Sequence, residues 1–252
     1  MARAAVLGRL TWRAGTVTAL RDETPTARTI VLDVPGWPGH RAGQHVDVRL
    51  TAPDGYSAQR SYSIASAPAG TRVELTVQRL ADGEVSPYLA QTLAAGDPLE
   101  LRGPVGGWFV WDPASTAPVL LVAGGSGMVP LMAMIRTRAA QRNRAPFRLV
   151  YSVRGPDTAL YTAELAERQR AGDGLDMTYV YTRTAPSGSA RPAGRISAEL
   201  LALAVWPPQQ VPSVFVCGPT GFVENAADLL VDAGYDPGLI KTERFGPSGG
   251  QP

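Results

Sequence analysis

Cysteine and histidine are scarce in this sequence of 252 residues. Cys217 is the only cysteine, and His40 and His45 are the only histidines. One cysteine cannot form an intramolecular disulfide, and it cannot supply the four thiolates that hold an iron–sulfur cluster. The two histidines lack neighbouring cysteines or acidic residues at the spacing of zinc ligands. We therefore expect no metal site in this chain.

Long runs of one charge and long apolar runs are also missing. The formal net charge is +2, Lys241 is the only lysine, and no run of five or six like charges occurs, so a nucleic-acid partner is not expected. The absence of any stretch of about 18 apolar residues predicts no membrane span. Arg9 and Arg13 interrupt the apolar segment that a secretory signal would need. We expect a cytoplasmic protein and a monomer.

The first half of the sequence has the pattern of short strands separated by turns that contain proline and glycine. Strands are predicted at residues 16–20, 27–33, 44–50, 61–65, 73–79 and 99–102. One helix is predicted among them, with Ser86 as its N-cap, Pro87 at the first helical position and Gly96 at its end. Several strands and one helix in about 110 residues predict a small antiparallel β-barrel.

The second half alternates buried strands with helices. Apolar runs predict strands at 119–123, 147–153, 177–181 and 214–217, and helices are predicted at 129–142, 159–170, 197–203 and 221–233. This alternation predicts an α/β domain with a doubly wound parallel sheet. Residues 112–118, rich in proline, serine and threonine, separate the two halves. We therefore predict two domains, 1–113 and 114–252.

The segment Arg60-Ser61-Tyr62-Ser63 carries side chains suited to a nucleotide cofactor. An arginine fork matches a phosphate, a tyrosine ring can lie against a flavin, and a serine hydroxyl can donate to a ring nitrogen. The alternative interpretation is an exposed strand. Downstream, Gly83-Glu84-Val85-Ser86 leads into the predicted helix, whose N-terminus would attract a pyrophosphate. Alternatively, Ser86 is only a helix cap.

Two further motifs follow strands in the second half. The segment Gly124-Gly125-Ser126-Gly127-Met128-Val129-Pro130 opens a helix, and its glycines would let the backbone approach a phosphate closely. It lacks the Lys-Ser/Thr pair of an ATP-binding P-loop. Cys217-Gly218-Pro219 ends another strand, at the sheet edge where ligands gather, although a single cysteine is ordinarily an inert core residue.

Together with Gly103-Pro104-Val105-Gly106, these motifs occur in the order expected for the ferredoxin–NADP reductase superfamily. The whole chain resembles its oxygenase-reductase and cytochrome b5 reductase-like members. The resemblance implies an FAD-binding barrel followed by an NAD(P)-binding domain. The implied FAD-binding residues are Arg60, Ser61, Tyr62, Ser63, Gly83, Val85 and Ser86, and the implied NAD(P)H-binding residues are Gly124, Gly125, Ser126, Gly127, Pro130, Gly218 and Pro219.

The resemblance also assigns roles near the reacting atoms. Tyr62 and Ser63 would contact the isoalloxazine, and Cys217 would lie beside the nicotinamide. Phe245, within Glu243-Arg244-Phe245-Gly246, would cover the other face of the flavin, although it is not the last residue. Thr182 and Arg183 follow the third parallel strand, where the family places groups that meet the adenosine 2′-phosphate, so NADPH is expected in preference to NADH. Arg154 follows the second strand and is another candidate on the cofactor side; the alternative is that both arginines are solvated loop residues.

A flavoprotein that oxidises NAD(P)H and has no metal centre needs a separate electron acceptor. The expected partner is a protein with a one-electron centre, such as a ferredoxin, a haem protein or an oxygenase component. Two alternatives stay open: an NAD(P)H-dependent reductase of free flavin or other small molecules, and a non-catalytic flavin-binding regulatory module.

Overall fold

Six antiparallel strands form the first half of the chain in a computed structural model that describes residues 10–189 and 191–246. They are β1 (Trp12–Thr24), β2 (Ala27–Asp33), β3 (His45–Thr51), β4 (Ser57–Ser63), β5 (Arg72–Gln78) and β6 (Pro98–Val105). Their order is β4-β3-β6-β1-β2-β5. An antiparallel bridge between Ile64 and Leu75 brings the two outer strands together. The predicted antiparallel barrel is confirmed.

Strand β5 shows how the barrel meets the rest of the chain. Val73, Leu75 and Val77 alternate along it and lie in the barrel core, as expected for residues that share one face of a strand. Glu74 and Thr76 point to the opposite face, yet they are also buried. The outer face of β5 is therefore packed against the second domain and is not exposed to solvent.

In the described part of the second half, five parallel strands alternate with four α-helices. They are β7 (Val119–Gly124), α1 (Met128–Ala140), β8 (Phe147–Val153), α2 (Thr162–Ala171), β9 (Leu175–Tyr181), α3 (Ala198–Ala204), β10 (Ser213–Pro219), α4 (Thr220–Asp232) and β11 (Ile240–Phe245). The sheet order is β11-β10-β7-β8-β9, which confirms the doubly wound parallel sheet. The chain reverses direction across the sheet between β7 and β10, and ligands bind at such switch points.

The helical turn of the barrel is shorter than predicted. It spans Tyr88–Thr92 and has no side-chain cap. The Ser86 hydroxyl instead accepts a hydrogen bond from the Leu80 N–H at 3.0 Å. Gly96 has φ +94° and donates its N–H to Val17 O at 2.8 Å, so it forms the turn into β6. The predicted cap and stop are wrong because both residues stabilise neighbouring turns.

The structure shows a C-terminal strand and aromatic contacts at the domain junction that the sequence did not predict. Residues 240–245 form β11 beside β10, where no strand was predicted. Phe109 and Trp111 pack edge-on against Phe215 and Phe147, with ring centroids 5.5 and 5.1 Å apart. The division after residue 113 stays a prediction. Within the described part of the chain, no helix is long and apolar enough to cross a membrane.

Candidate active site

Arg60 lies at the surface of β4 and is held by an acidic neighbour. Its side chain is 54% exposed, and its Nη2 lies 2.5 Å from Glu84 Oε2. The other oxygen of Glu84 accepts a hydrogen bond from the Tyr56 hydroxyl at 3.0 Å. The guanidinium is thus accessible to a phosphate, but an anion that binds it has to compete with a carboxylate.

Tyr62 is on the same face of β4 as Arg60, two residues further on. Its ring is half-buried and packs against the barrel core. Burial raises the pKa of the Tyr62 phenol to about 12, against a weaker opposing effect of Arg60. The ring is therefore neutral at physiological pH and offers a flat apolar surface beside the Arg60 guanidinium.

The Ser61 side chain points to the other face of β4, where it joins a row of hydrogen-bonded polar side chains. Its hydroxyl donates to Asp47 Oδ1 at 2.7 Å, and Arg102 donates to Asp47 Oδ2, also at 2.7 Å. Burial alone would raise the pKa of Asp47, but the hydrogen bonds from Arg102 and Ser61 lower it overall. The side chain of Ser61 is therefore part of the barrel wall, and only its backbone is available to a cofactor bound beside Arg60 and Tyr62.

Two side chains shortly before the helical segment, Val85 and Ser86, point inward. Val85 is buried in the barrel core and Ser86 is 6% exposed. A Cβ at Gly83 would lie 2.7 Å from the Ser86 Oγ, so glycine lets the chain pass close to this hydroxyl. Contact of this segment with a pyrophosphate would therefore be made by its backbone, and it stays a prediction.

The glycines at the switch point give room to protein atoms more than to a ligand. A Cβ at Gly127 would lie 2.1 Å from the Cys217 carbonyl oxygen, and a Cβ at Gly124 or Gly218 would meet the Phe222 ring at 2.6 or 2.7 Å. Gly125 differs, because it has φ +53° and nothing within 4 Å of its Cβ position. We predicted that this turn binds a pyrophosphate. Within it, Gly125 and Ser126 are half-buried, whereas Pro130 is buried.

Four residues from both domains converge between the barrel and the parallel sheet. Ser63 pairs with His45 across β4 and β3, and His45 Nδ1 lies 3.6 Å from Glu243 Oε1. Glu243 is in register with Cys217 across β11 and β10. Residues predicted in each half, Ser63 and Cys217, are thus linked through His45 and Glu243, to which the sequence analysis assigned no role. No local pattern marks His45, whereas Glu243 lies two residues before the predicted contact Phe245.

The chemistry of Cys217 follows from its burial. It is 1% exposed, and burial, reinforced by the Glu243 carboxylate, raises the pKa of its thiol well above the ordinary value. The Cys217 side chain is therefore a neutral thiol. Glu243 Oε2 is buried without a hydrogen-bond partner among the described residues, so this carboxylate has unused acceptor capacity next to the thiol.

Phe245 ends β11 beside the Cys217-Gly218-Pro219 segment. It pairs with Pro219, and Arg244 pairs with Gly218. The Phe245 side chain is 36% exposed, so an aromatic face is available at the carboxyl edge of the sheet. Its predicted contact with a flavin stays a prediction.

The loops after β8 and β9 bring together the residues predicted to recognise the adenosine phosphate. Arg183 N–H donates to Arg154 O at 2.9 Å, and Thr182 N–H donates to Val153 O at 2.8 Å. The side chains of Arg154 and Arg183 are both exposed. Two exposed guanidinium groups on adjoining loops would suit a dianionic phosphate.

The donors and flat surfaces on these two faces fit two dinucleotides. The barrel offers the half-exposed Arg60 guanidinium, with Tyr62 two residues beyond it on β4 and the exposed Tyr56 just before β4. These groups would suit a pyrophosphate that carries a ring system at each end. The parallel sheet offers an open glycine turn at its switch point. Such a pair of faces defines a two-domain flavin and nicotinamide oxidoreductase.

Comparisons with known proteins assign the same two domains. An oxidoreductase FAD-binding domain model matches residues 17–110, and an oxidoreductase NAD-binding domain model matches residues 121–228. Ferredoxin–NADP reductase B of Sorangium cellulosum is 37% identical over 195 residues, which cover 75% of this chain and 78% of that protein. The chain belongs to the ferredoxin–NADP reductase superfamily. The predicted FAD-binding and NAD(P)-binding domains are confirmed.

Two further matches extend the comparison. The glycine betaine monooxygenase reductase subunit of Chromohalobacter salexigens is 33% identical over 210 residues, which cover 82% of this chain but 56% of that protein. The FAD/NAD-binding domain of nitric oxide dioxygenase from Vibrio cholerae has a TM-score of 0.82 at 25% identity, with 93% of this chain and 99% of that domain covered. The chain thus spans little more than half of the Chromohalobacter subunit.

Proposed function

We propose that this protein is an FAD-dependent reductase that oxidises NAD(P)H and passes electrons to a separate protein with a one-electron centre. The observation that carries the proposal is the convergence of Ser63 and His45 from the barrel with Cys217 and Glu243 from the parallel sheet. Bound FAD supplies the conversion of a two-electron hydride donor into a one-electron donor. The name of the Chromohalobacter relative, a monooxygenase reductase subunit, supports an acceptor of this kind.

The residues of the chain would bind, orient and shield the two cofactors. Arg60 would hold the FAD pyrophosphate once Glu84 is displaced, and Tyr62 would support the ring. The backbone around Gly125 would hold the nicotinamide cofactor's pyrophosphate. Cys217, as a neutral thiol, would pack against the nicotinamide without placing a charge there. His45 Nδ1 and Glu243 Oε1 lie 3.6 Å apart, so a small movement would bring the two side chains within hydrogen-bond distance.

A direct test measures flavin identity and flavin reduction. Flavin released by acid from the purified protein should be FAD, because Arg60 offers a pyrophosphate site that FMN would not fill; recovery of FMN alone would contradict this. In rapid mixing with NADPH, Ser63→Ala should slow flavin reduction more than it weakens NADPH binding. Ser57→Ala is the matched control, because Ser57 lies on the same strand and its hydroxyl bonds, among the described residues, to Thr51 Oγ1 alone, at 2.9 Å.

One observation favours a second candidate, an NAD(P)H-dependent reductase of free flavin. The Arg60–Glu84 pair would compete with the pyrophosphate and make flavin exchangeable. NADPH oxidation with ferredoxins, haem proteins and free FMN or riboflavin from the same host separates the two. Far higher efficiency with free flavin than with every protein acceptor would favour the second candidate, and flavin binding without turnover would favour a regulatory module.

Location and assembly stay predictions of the same proposal. We infer a cytoplasmic location and a monomer. Fractionation of host cells with an antibody to the protein tests the first, and light scattering on the purified protein tests the second.

A further inference from the structure

A buried polar cluster joins the barrel to the nicotinamide-binding domain on the outer face of β5. We call it the interdomain cluster. Its members are Arg136, Tyr161 and Glu164 from the nicotinamide-binding domain, and Glu23, Glu74 and Thr76 from the barrel. None of these residues belongs to the cofactor-binding faces described above.

Arg136 makes directional contacts with both domains at once. Its side chain is 12% exposed. Nη1 donates to the Ala65 carbonyl at 2.9 Å and to Glu74 Oε2 at 3.1 Å, while Nη2 donates to Glu164 Oε2 at 2.6 Å. A planar guanidinium that is fixed by three acceptors allows little rotation of one domain against the other.

Tyr161 is the second tie between the domains. Its hydroxyl donates to Thr76 Oγ1 at 2.5 Å, and its N–H donates to Glu23 Oε2 at 3.3 Å. Its backbone is left-handed, with φ +58°, a conformation that non-glycine residues rarely adopt. Such a conformation persists where the surroundings over-determine it, and here Arg136 also lies over the ring, 5.0 Å from its centroid.

The interdomain cluster is connected to both halves of the active site by short, stiff segments. Ala65, which accepts from Arg136, is two residues beyond Ser63. Arg136 is on α1, and Gly127, the residue directly before this helix, lies against the Cys217 carbonyl. A shift of α1 on the barrel would therefore move Cys217 and the glycine turn relative to Ser63.

We propose that Arg136 and Tyr161 are positioning residues, which set the distance and angle between nicotinamide and flavin by fixing α1 and the start of α2 to the barrel. The inference rests on the proposed function. The groups assigned to cofactor binding lie within single domains, so loosening the cluster should spare binding. Hydride transfer should suffer, because a displacement of about 1 Å can cost about 10²-fold in rate.

The test compares Arg136→Lys and Tyr161→Phe with Arg138→Lys in the flavin-loaded protein. Arg138 is a buried arginine on the same helix, but its partners, Ala145 O and Asp173, lie in its own domain. In rapid mixing at saturating NADPH, the first two variants should reduce flavin at least about tenfold more slowly, with less than about a twofold change in NADPH Kd. The control should keep both values and lose only thermal stability.

Calorimetry supplies a readout that does not depend on turnover. Arg136→Lys should split the unfolding of the two domains into separate transitions, whereas Arg138→Lys should not. An unsplit transition together with a wild-type reduction rate in both cluster variants would overturn the inference, as would an equal rate loss in Arg138→Lys. A wild-type protein whose FAD is not reduced by NAD(P)H would instead overturn the proposed function, and the calorimetric comparison would still decide whether the cluster couples the domains.

Discussion

Replacing Gly127 by alanine would test the packing of the switch point. Gly127 has φ −59° and ψ −11°, which alanine adopts without strain. The added Cβ would nevertheless lie 2.1 Å from Cys217 O and 2.8 Å from Gly218 N. The turn therefore has to move by roughly 1 Å, and such overpacking typically costs about 1–3 kcal/mol. At about 2–4 °C per kcal/mol for a chain of this size, we expect Tm to fall by about 2–12 °C.

The same displacement should lower the rate of flavin reduction. Because α1 and its preceding turn are assigned to the nicotinamide cofactor, flavin reduction by NADPH in rapid mixing should slow by about tenfold or more. The FAD content, read from absorbance of the purified protein, should be unchanged, because Arg60 and Tyr62 lie on the barrel. Gly221→Ala is the control: its Cβ position is open, it lies in α4, and alanine should raise or preserve stability there.

Particular results would refute this reasoning. A Gly127→Ala protein that has the wild-type Tm and whose flavin is reduced at the wild-type rate would show that the close approach to Cys217 does not restrict the residue at position 127. Equal losses in Gly127→Ala and Gly221→Ala would show that the helix termini, rather than the crevice, respond to the substitution.

Two further predictions concern specificity and pH. Arg183→Ala should lose about tenfold or more in kcat/KM with NADPH and little with NADH, since a charge-assisted phosphate bond contributes about 1.5–3 kcal/mol; steady-state kinetics with both cofactors check this, and equal losses would indicate general damage. Burial raises the pKa of the Cys217 thiol in the folded protein, so the unfolded chain loses this proton at a lower pH than the folded protein does. Above about pH 8.5 the free energy of unfolding of the wild type should therefore fall relative to that of Cys217→Ala, by up to about 1.4 kcal/mol per pH unit. Denaturant titrations from pH 7 to 10 measure the difference, and parallel curves would show that the folded thiol titrates normally.

Local pattern was enough to predict both domains. A strand such as β5 places Val73, Leu75 and Val77 on one face because side chains alternate along extended backbone, and this alternation is present in the sequence itself. Apolar runs such as residues 119–123 predict strands buried on both faces. The motifs Arg60-Ser61-Tyr62-Ser63 and Cys217-Gly218-Pro219 also predict where cofactors approach, because backbone freedom and donor chemistry are properties of the residues.

The sequence pattern did not predict the direction in which side chains near the site point. Ser61 and Ser86 belong to the motifs, yet one bonds to Asp47 and the other to Leu80. A hydroxyl of this kind bonds to whichever group the turn or neighbouring strand presents, and the motif alone does not specify that group. The terminal strand β11 escaped prediction for a related reason, since its short polar sequence becomes a strand through pairing with β10.

Contacts between residues far apart in sequence become visible only in the folded protein. Glu74 and Thr76 are polar and lie on the face of β5 that points away from the barrel core, but Arg136 and Tyr161 cover them. His45 has no motif around it, yet it meets Glu243 across the two domains. The period of a sequence specifies which side of an element is buried because that follows from backbone geometry. It does not specify what covers that side, because the covering surface is assembled only when separately folded elements pack together.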